Sequence, residues 1–174
     1  IAGALRAVAA ESPSPITRLR LTVTRGLAGV PTRLIQAFPY TPPDAAAYRD
    51  GVAALVLPEF RLDSGSPLAG LKSLSSQLHR LALRRAEESG CWEALLLNER
   101  GQLVEGSRSN LVLYLEEGAF TPPLADGCLP GTVRRRWLES GRIAERSLTL
   151  EDLQAARKVL LLNSLIGALP VGRT

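Results

Sequence analysis

The chain has 174 residues, 45% of them apolar and 22% charged, a composition suited to a soluble globular fold with one sizeable core or two small ones. Its formal net charge of +4 is scattered and aromatics make up only 5%, so the basic, aromatic-interleaved stripe of a nucleic-acid surface is missing. No apolar run reaches membrane-spanning length and no signal peptide opens the chain, which reads as cytoplasmic and away from membranes.

Residues 18–25 alternate apolar and polar with period two, the pattern of a half-buried strand, and 32–38 is its hairpin partner across Gly26 and Gly29-Val30-Pro31. Thr41-Pro42-Pro43-Asp44 breaks regular structure, and a short buried strand follows from Val52 to Leu57. The loop Asp63–Pro67 leads to Lys72. A helix then opens at Leu74, with Leu74, Leu78, Leu81, Ala82 and Ala86 on one face and Arg80, Arg84, Glu87 and Glu88 outside; it stops at Ser89-Gly90. Strands are expected at 92–98, 101–105 and 109–115, with a turn at 98–101 and a short strand at 117–120. Pro130-Gly131 opens a helix through about Ser140. A strand at 143–147, a helix from Leu150 to Ala156, an apolar strand at 158–163 and a last strand near 169–171 complete the pattern. Hairpins dominate and helices flank them, which predicts an α+β fold with mixed and antiparallel sheets. Residues 1–40 read as the remnant of a small N-terminal domain with its link, and 41–174 as the main domain. The chain has no Met and begins at Ile1, so it reads as part of a longer product whose C-terminal end is also cut short.

Chemistry-bearing residues are few. One histidine, His79, and two distant cysteines, Cys91 and Cys128, are too few for a zinc site, and no metal is expected. His79 falls on the polar side of its helix, and a Ser-His-Asp triad built on it is set aside. Lys72 stands out because the chain carries 19 arginines and only two lysines. Arginine stays charged and cannot form a Schiff base or shuttle a proton, whereas lysine does both. Lys72 also sits among apolar and small residues, Leu68-Ala69-Gly70-Leu71-Lys72-Ser73-Leu74. Glu105 closes a strand and is followed by small residues, which let a carboxylate face a planar ring. Gly131, Thr132 and Val133 start a helix whose free amides, with the Thr132 hydroxyl, suit a phosphate. Ser164 follows a buried strand. An amine, a carboxylate, a phosphate seat and a hydroxyl are the groups that pyridoxal 5'-phosphate requires of a protein.

Taken together, Leu68–Lys72, Leu97–Gly101, Val104–Leu111, Thr121–Leu124, Gly127–Gly131 and Asn163–Val171 resemble the class IV family of pyridoxal-phosphate enzymes, fold type IV, in the family's order and over residues 18–171. The resemblance implies that Lys72 is the Schiff-base lysine and proton shuttle, and that Glu105 pairs with the pyridine nitrogen. It further implies that Thr132 and Val133 give amides to the phosphate beside Gly131, and that Ser164 gives a hydroxyl. A small-molecule amine substrate and a homodimer follow from it. Arg108, beside Glu105, is a candidate ligand for a substrate carboxylate. Leu68–Lys72 and Asn163–Val171 favour the aminodeoxychorismate lyase branch, which releases pyruvate and 4-aminobenzoate for folate synthesis. An aminotransferase of branched-chain or D-amino acids is the runner-up, and a non-catalytic relative the third reading. The chain departs from the family's pattern at Ser75, Ser76 and Gln77, where relatives carry Asn or Tyr. No arginine for the phosphate is assigned in the N-terminal part.

Overall fold

The computed structural model describes Ile1–Gly172, and the chain divides into two compact units, Ile1–Pro42 and Pro43–Thr174. In the first, helix α1 (Ala2–Ala10) packs on the antiparallel hairpin β1 (Thr17–Thr24) and β2 (Thr32–Pro39), paired from Thr17↔Pro39 to Thr24↔Thr32. The hairpin follows the sequence expectation; α1 does not. It rests on the helix propensity of alanine rather than on an apolar period, so a periodicity reading passes over it.

The second unit is built on an eight-stranded sheet of order β10-β9-β6-β5-β4-β3, with β7 on β6 and β8 on β7. Its strands are β3 (Ala54–Leu62), β4 (Glu93–Asn98), β5 (Leu103–Gly106), β6 (Asn110–Tyr114), β7 (Ala119–Thr121), β8 (Ala144–Glu145), β9 (Lys158–Asn163) and β10 (Gly167–Pro170). The mixed α+β architecture is the expected one. Helix α2 (Ala45–Asp50) was not foreseen; Asp44 caps it by accepting a hydrogen bond from Ala47 N at 2.8 Å. The strand expected at 143–147 shrinks to the two residues of β8.

β3 and β4 run parallel, so residues 63–92 form a crossover carrying α3 (Gln77–Glu88). That helix starts three residues later than its apolar period predicts. Ser73, Ser75 and Ser76 favour local side-chain bonds over a helix interior, and Ser76 becomes the N-cap. The remaining helices are α4 (Thr132–Glu139) and α5 (Leu150–Ala155), the latter opened by a capping box of Thr149 and Asp152.

The core forms two layers around the sheet. On one face Leu95, Leu97, Leu103, Leu111, Leu113 and Leu161 pack together, with Leu150 and Leu153 of α5 against them. On the other, α3 covers Ala94 and Leu96 through Ala82 and Ala86, while α4 covers Val112, Leu160 and Leu162 through Val133, Trp137 and Leu138. Every residue of β4 is buried, because both its faces are covered.

One irregularity positions the site. Leu97 pairs with Leu103 but the adjacent Leu96 pairs with Glu105, so β5 carries an extra residue, Val104, as a bulge. Residues opposite each other in an antiparallel pair share a face. The bulge therefore turns Glu105 to the side of Leu96, the face that bears α3 and α4. Asn110, paired with both Glu105 and Leu162, lies on that face too.

Candidate functional site

Glu105 is 3% exposed and stands at the centre of a small polar cluster. Its Oε2 accepts hydrogen bonds from the Leu129 backbone N at 2.9 Å and from Asn110 Nδ2 at 3.5 Å. Its Oε1 faces His79 Nε2 at 3.0 Å. A carboxylate only accepts hydrogen bonds, so Nε2 carries the hydrogen and donates. Asn110 Nδ2 also donates to Leu129 O at 2.8 Å, which ties the start of β6 to the segment leading into α4. Contact there is close: a Cβ on Gly131 would overlap Asn110 Oδ1 and lie 3.1 Å from its Cγ. Glycine at 131 is a condition of the packing.

The helix that Gly131 opens has no side-chain cap. Its first amides, those of Thr132 and Val133 among them, have no partner within the helix, and they carry the positive end of its dipole. Thr132 is exposed and Val133 half-buried. The structure thus brings Glu105 and the 131–133 helix start together, through Leu129 and Asn110.

Lys72 lies between two segments that approach the cluster. Upstream, a Cβ on Gly70 would lie 3.8 Å from Cys128 O, next to Leu129. Downstream, α3 brings His79 to Glu105. The loop before it is pinned as well: Ser64 donates its N and Oγ to the Glu99 carboxylate at 2.9 and 2.7 Å, and Arg100 binds both Glu99 and the buried Asp126. Lys72 itself is exposed, in an irregular stretch, and Leu68, Leu71 and Leu74 around it are 60%, 58% and 61% exposed. The apolar surroundings seen in the sequence are therefore local neighbours and no buried pocket, because with α3 starting at Gln77 no helix folds them onto the core.

Ser164 is exposed in the turn between β9 and β10, at the same end of the sheet as Asn110. That turn is organised by Asn163, whose Oδ1 accepts from Leu165 N at 2.8 Å and Ile166 N at 3.0 Å, and whose Nδ2 donates to Arg108 O at 3.1 Å. Arg108 has other company than its sequence neighbour Glu105. Its guanidinium lies 3.9 Å over the Trp92 ring, donates to Trp92 O and pairs with Glu87 at 4.0 Å, lining an open cleft with Gly90 and Cys91.

Behind the cluster a second carboxyl, Glu93, is fully buried. It accepts hydrogen bonds from Ser107 Oγ, from Ser109 Oγ at 2.7 Å and from its neighbour Ala94 N at 3.1 Å, bracing the turn that follows Glu105. A Cβ on Gly106 would lie 2.8 Å from its carboxyl carbon. Burial pushes the Glu93 pKa above the ordinary carboxylate value, against the lowering by the two serine hydroxyls. Burial likewise pushes the Cys128 thiol up to about 12, which removes it as a nucleophile at neutral pH.

His79 and Asn110 are the site residues that sequence reasoning missed. The lone histidine was placed on a solvated helix side; its face is instead directed at β5. The signal for Asn110 was its place at the strand start after a run of small residues, opposite Glu105.

The family profile described as amino-transferase class IV matches residues 1–174. A Mesorhizobium loti crystal structure with the provisional name of an amino-acid aminotransferase is 33% identical with a TM-score of 0.83, over 98% of this chain and 79% of that one. A Methanocaldococcus jannaschii protein, provisionally named a branched-chain-amino-acid aminotransferase, is 29% identical over 88% of this chain and 57% of its own length. The aminodeoxychorismate lyase of Vibrio harveyi is 31% identical over 72% of this chain and 48% of its own length. The chain thus spans about half the length of these curated relatives.

Proposed function

The chain belongs to the amino-transferase class IV family, and from that premise we propose that it is the pyridoxal-phosphate-binding part of a 4-amino-4-deoxychorismate lyase. The observation that carries the cofactor reading is Glu105: a buried carboxylate, held in place from both sides and joined through Leu129 to an uncapped helix start. A carboxylate that accepts from the ring nitrogen and a set of free helix amides that donate to the phosphate are the groups that a phosphorylated pyridine ring calls for. The lyase reading rests on the resemblance of Leu68–Lys72 and Asn163–Val171.

When bound, pyridoxal phosphate supplies an aldehyde that captures an amine and a ring that accepts electrons from the neighbouring carbon. Glu105 would accept a hydrogen bond from the ring nitrogen and keep it protonated. Thr132 and Val133 would offer backbone amides to the phosphate beside Gly131, whose own N–H is taken by Leu129 O at 2.9 Å, and Thr132 and Ser164 would offer hydroxyls. Lys72 Nζ would bind the aldehyde at rest, yield that place to the substrate amine, and as a neutral amine take the proton from the amine-bearing carbon. An arginine at 72 could take no part in this. The partners of Arg108 favour bracing the β5–β6 turn over binding a substrate carboxylate. A homodimer is part of the proposal, since Leu68, Leu71 and Leu74 stand exposed beside Lys72 and a second copy is the partner that the resemblance implies.

The second reading, an aminotransferase, is favoured by the names of the M. jannaschii and M. loti relatives. Full-length protein incubated with aminodeoxychorismate is expected to release pyruvate and 4-aminobenzoate in equal amounts. Amino transfer from a branched-chain or D-amino acid to a 2-oxo acid, without that release, would replace the lyase reading by the second. Borohydride is expected to fix the cofactor on Lys72 and to fix none in Lys72→Ala. A full-length protein that binds no pyridoxal phosphate would end both readings.

A further inference from the structure

We infer that His79 is a positioning residue for Glu105: its Nε2–H braces Oε1, aims the carboxylate and couples it to the segment that carries Lys72. The inference rests on the cofactor reading above. The two oxygens of Glu105 are served unequally. Oε2 has two donors, Leu129 N and Asn110 Nδ2, and Oε1 has one, His79. A carboxylate oxygen offers about two lone-pair positions, so Oε1 is the oxygen with room for a further donor such as a ring N–H. His79 occupies the other position and holds that oxygen in place.

The brace is stiff. His79 is the third residue of α3, and α3 is locked to the sheet by Ala82 and Ala86, both wholly buried against Leu57, Ala94 and Leu96. An imidazole adds only two side-chain torsions to that mount. The Glu105 side chain is 4% exposed and that of His79 22%, so in the intact protein the imidazole stands between Oε1 and bulk water. His79 also lies seven residues after Lys72. The Nε2–Oε1 bond is thus the direct tie between the arm bearing the amine and the strand bearing the carboxylate.

In full-length protein labelled with ¹⁵N-histidine, the ring signals of His79 are those that disappear in His79→Gln. They are expected to show a protonated Nε2, to move in Glu105→Gln, and to move again when pyridoxal phosphate is added. Pyridoxal phosphate is then titrated into folded variants. Loss of one hydrogen bond to a buried charge predicts about tenfold weaker binding in His79→Ala. His79→Gln restores a side-chain N–H at similar reach and is expected to bind within about threefold of wild type by the same reasoning. A merely structural histidine would give ring signals indifferent to Glu105→Gln, and variants whose affinity follows their urea midpoints rather than the presence of an N–H. Either result overturns the inference, as does wild-type affinity in His79→Ala. Wild-type protein that binds no pyridoxal phosphate sinks the cofactor reading itself, a separate outcome from a wild type that binds and a His79→Ala that binds equally well.

Discussion

Replacing Gly131 by alanine tests the join between the carboxylate and the helix start. The backbone at Gly131 has φ −61 and ψ 144, open to any residue, so the substitution carries no conformational strain. What it meets is Asn110: the new Cβ overlaps Oδ1 and lies 3.1 Å from Cγ. Asn110 is 5% exposed and held by its bond to Leu129 O at 2.8 Å. If Asn110 stays, the collision costs about 1–3 kcal/mol, as overpacked interiors do. If it rotates away, Leu129 O keeps the Gly131 N–H at 2.9 Å, but the buried Asn110 amide loses its acceptor, at about 1–3 kcal/mol for a buried group left unpaired. Alanine gains about 0.4–1 kcal/mol by restricting the unfolded chain. The net expectation is a destabilisation of about 1–2 kcal/mol, read from urea denaturation at fixed m-value. Asn110→Ala removes the obstacle, so adding Gly131→Ala to that variant is expected to cost nothing or to stabilise. A Gly131→Ala penalty that is the same in both backgrounds would refute the steric reasoning, because independent sites add.

Three further outcomes follow from the titratable groups and a cap. Hydrogen bonds from Ser64 N and Oγ, with Arg100 alongside, lower the Glu99 pKa to about 2 from an ordinary 4.5. A depressed pKa stabilises above the unfolded value and is lost as pH falls through the folded one, so the Ser64 amide signal of the folded protein is expected to titrate with a midpoint near pH 2, and not to titrate there in Glu99→Gln. Glu93 has the opposite sign: its folded pKa is raised, so its contribution is fully present below pH 4.5 and is lost as pH rises through the folded value. Glu93→Gln should therefore gain stability relative to wild type between pH 4.5 and neutrality; a difference independent of pH would contradict the burial argument. Thr149→Ala removes the capping box of α5 and is expected to cost about 1 kcal/mol in the same denaturation assay, with a loss below about 0.3 kcal/mol counting against it.

Much of the fold was written in short-range signals. The alternation of residues 18–25 became β1, and the apolar runs at 92–98 and 158–163 became β4 and β9, because covered sheets demand continuous apolar strands. Lys72, Glu105 and Gly131–Val133 became candidates because rare residue types and helix-start chemistry leave local traces, and the fold brings Glu105 to the 131–133 helix start through Leu129 and Asn110. The orientation of His79 was not legible, since it depends on how α3 is rotated against β5, and the polar positions of the helix do not say which of them looks inward. Asn110 was hidden for a related reason: its value lies in reaching Leu129, nineteen residues away. The exposure of Lys72 was also beyond reach, as apolar neighbours in sequence say nothing of whether a helix folds them inward.

The bulge at Val104 separates chain length from side-chain direction. Leu103 and Glu105 are two residues apart, and in an even pleat they would share a face. Straightening β5 without losing a residue would set Glu105 opposite Leu95, as a bare carboxylate among leucines. Removing Val104 would leave Leu103 on Leu97 and Glu105 on Leu96, with every facing preserved. Tolerance to length change at this point is therefore one-sided: a single deletion can pass unnoticed where a regularised strand of full length destroys the site.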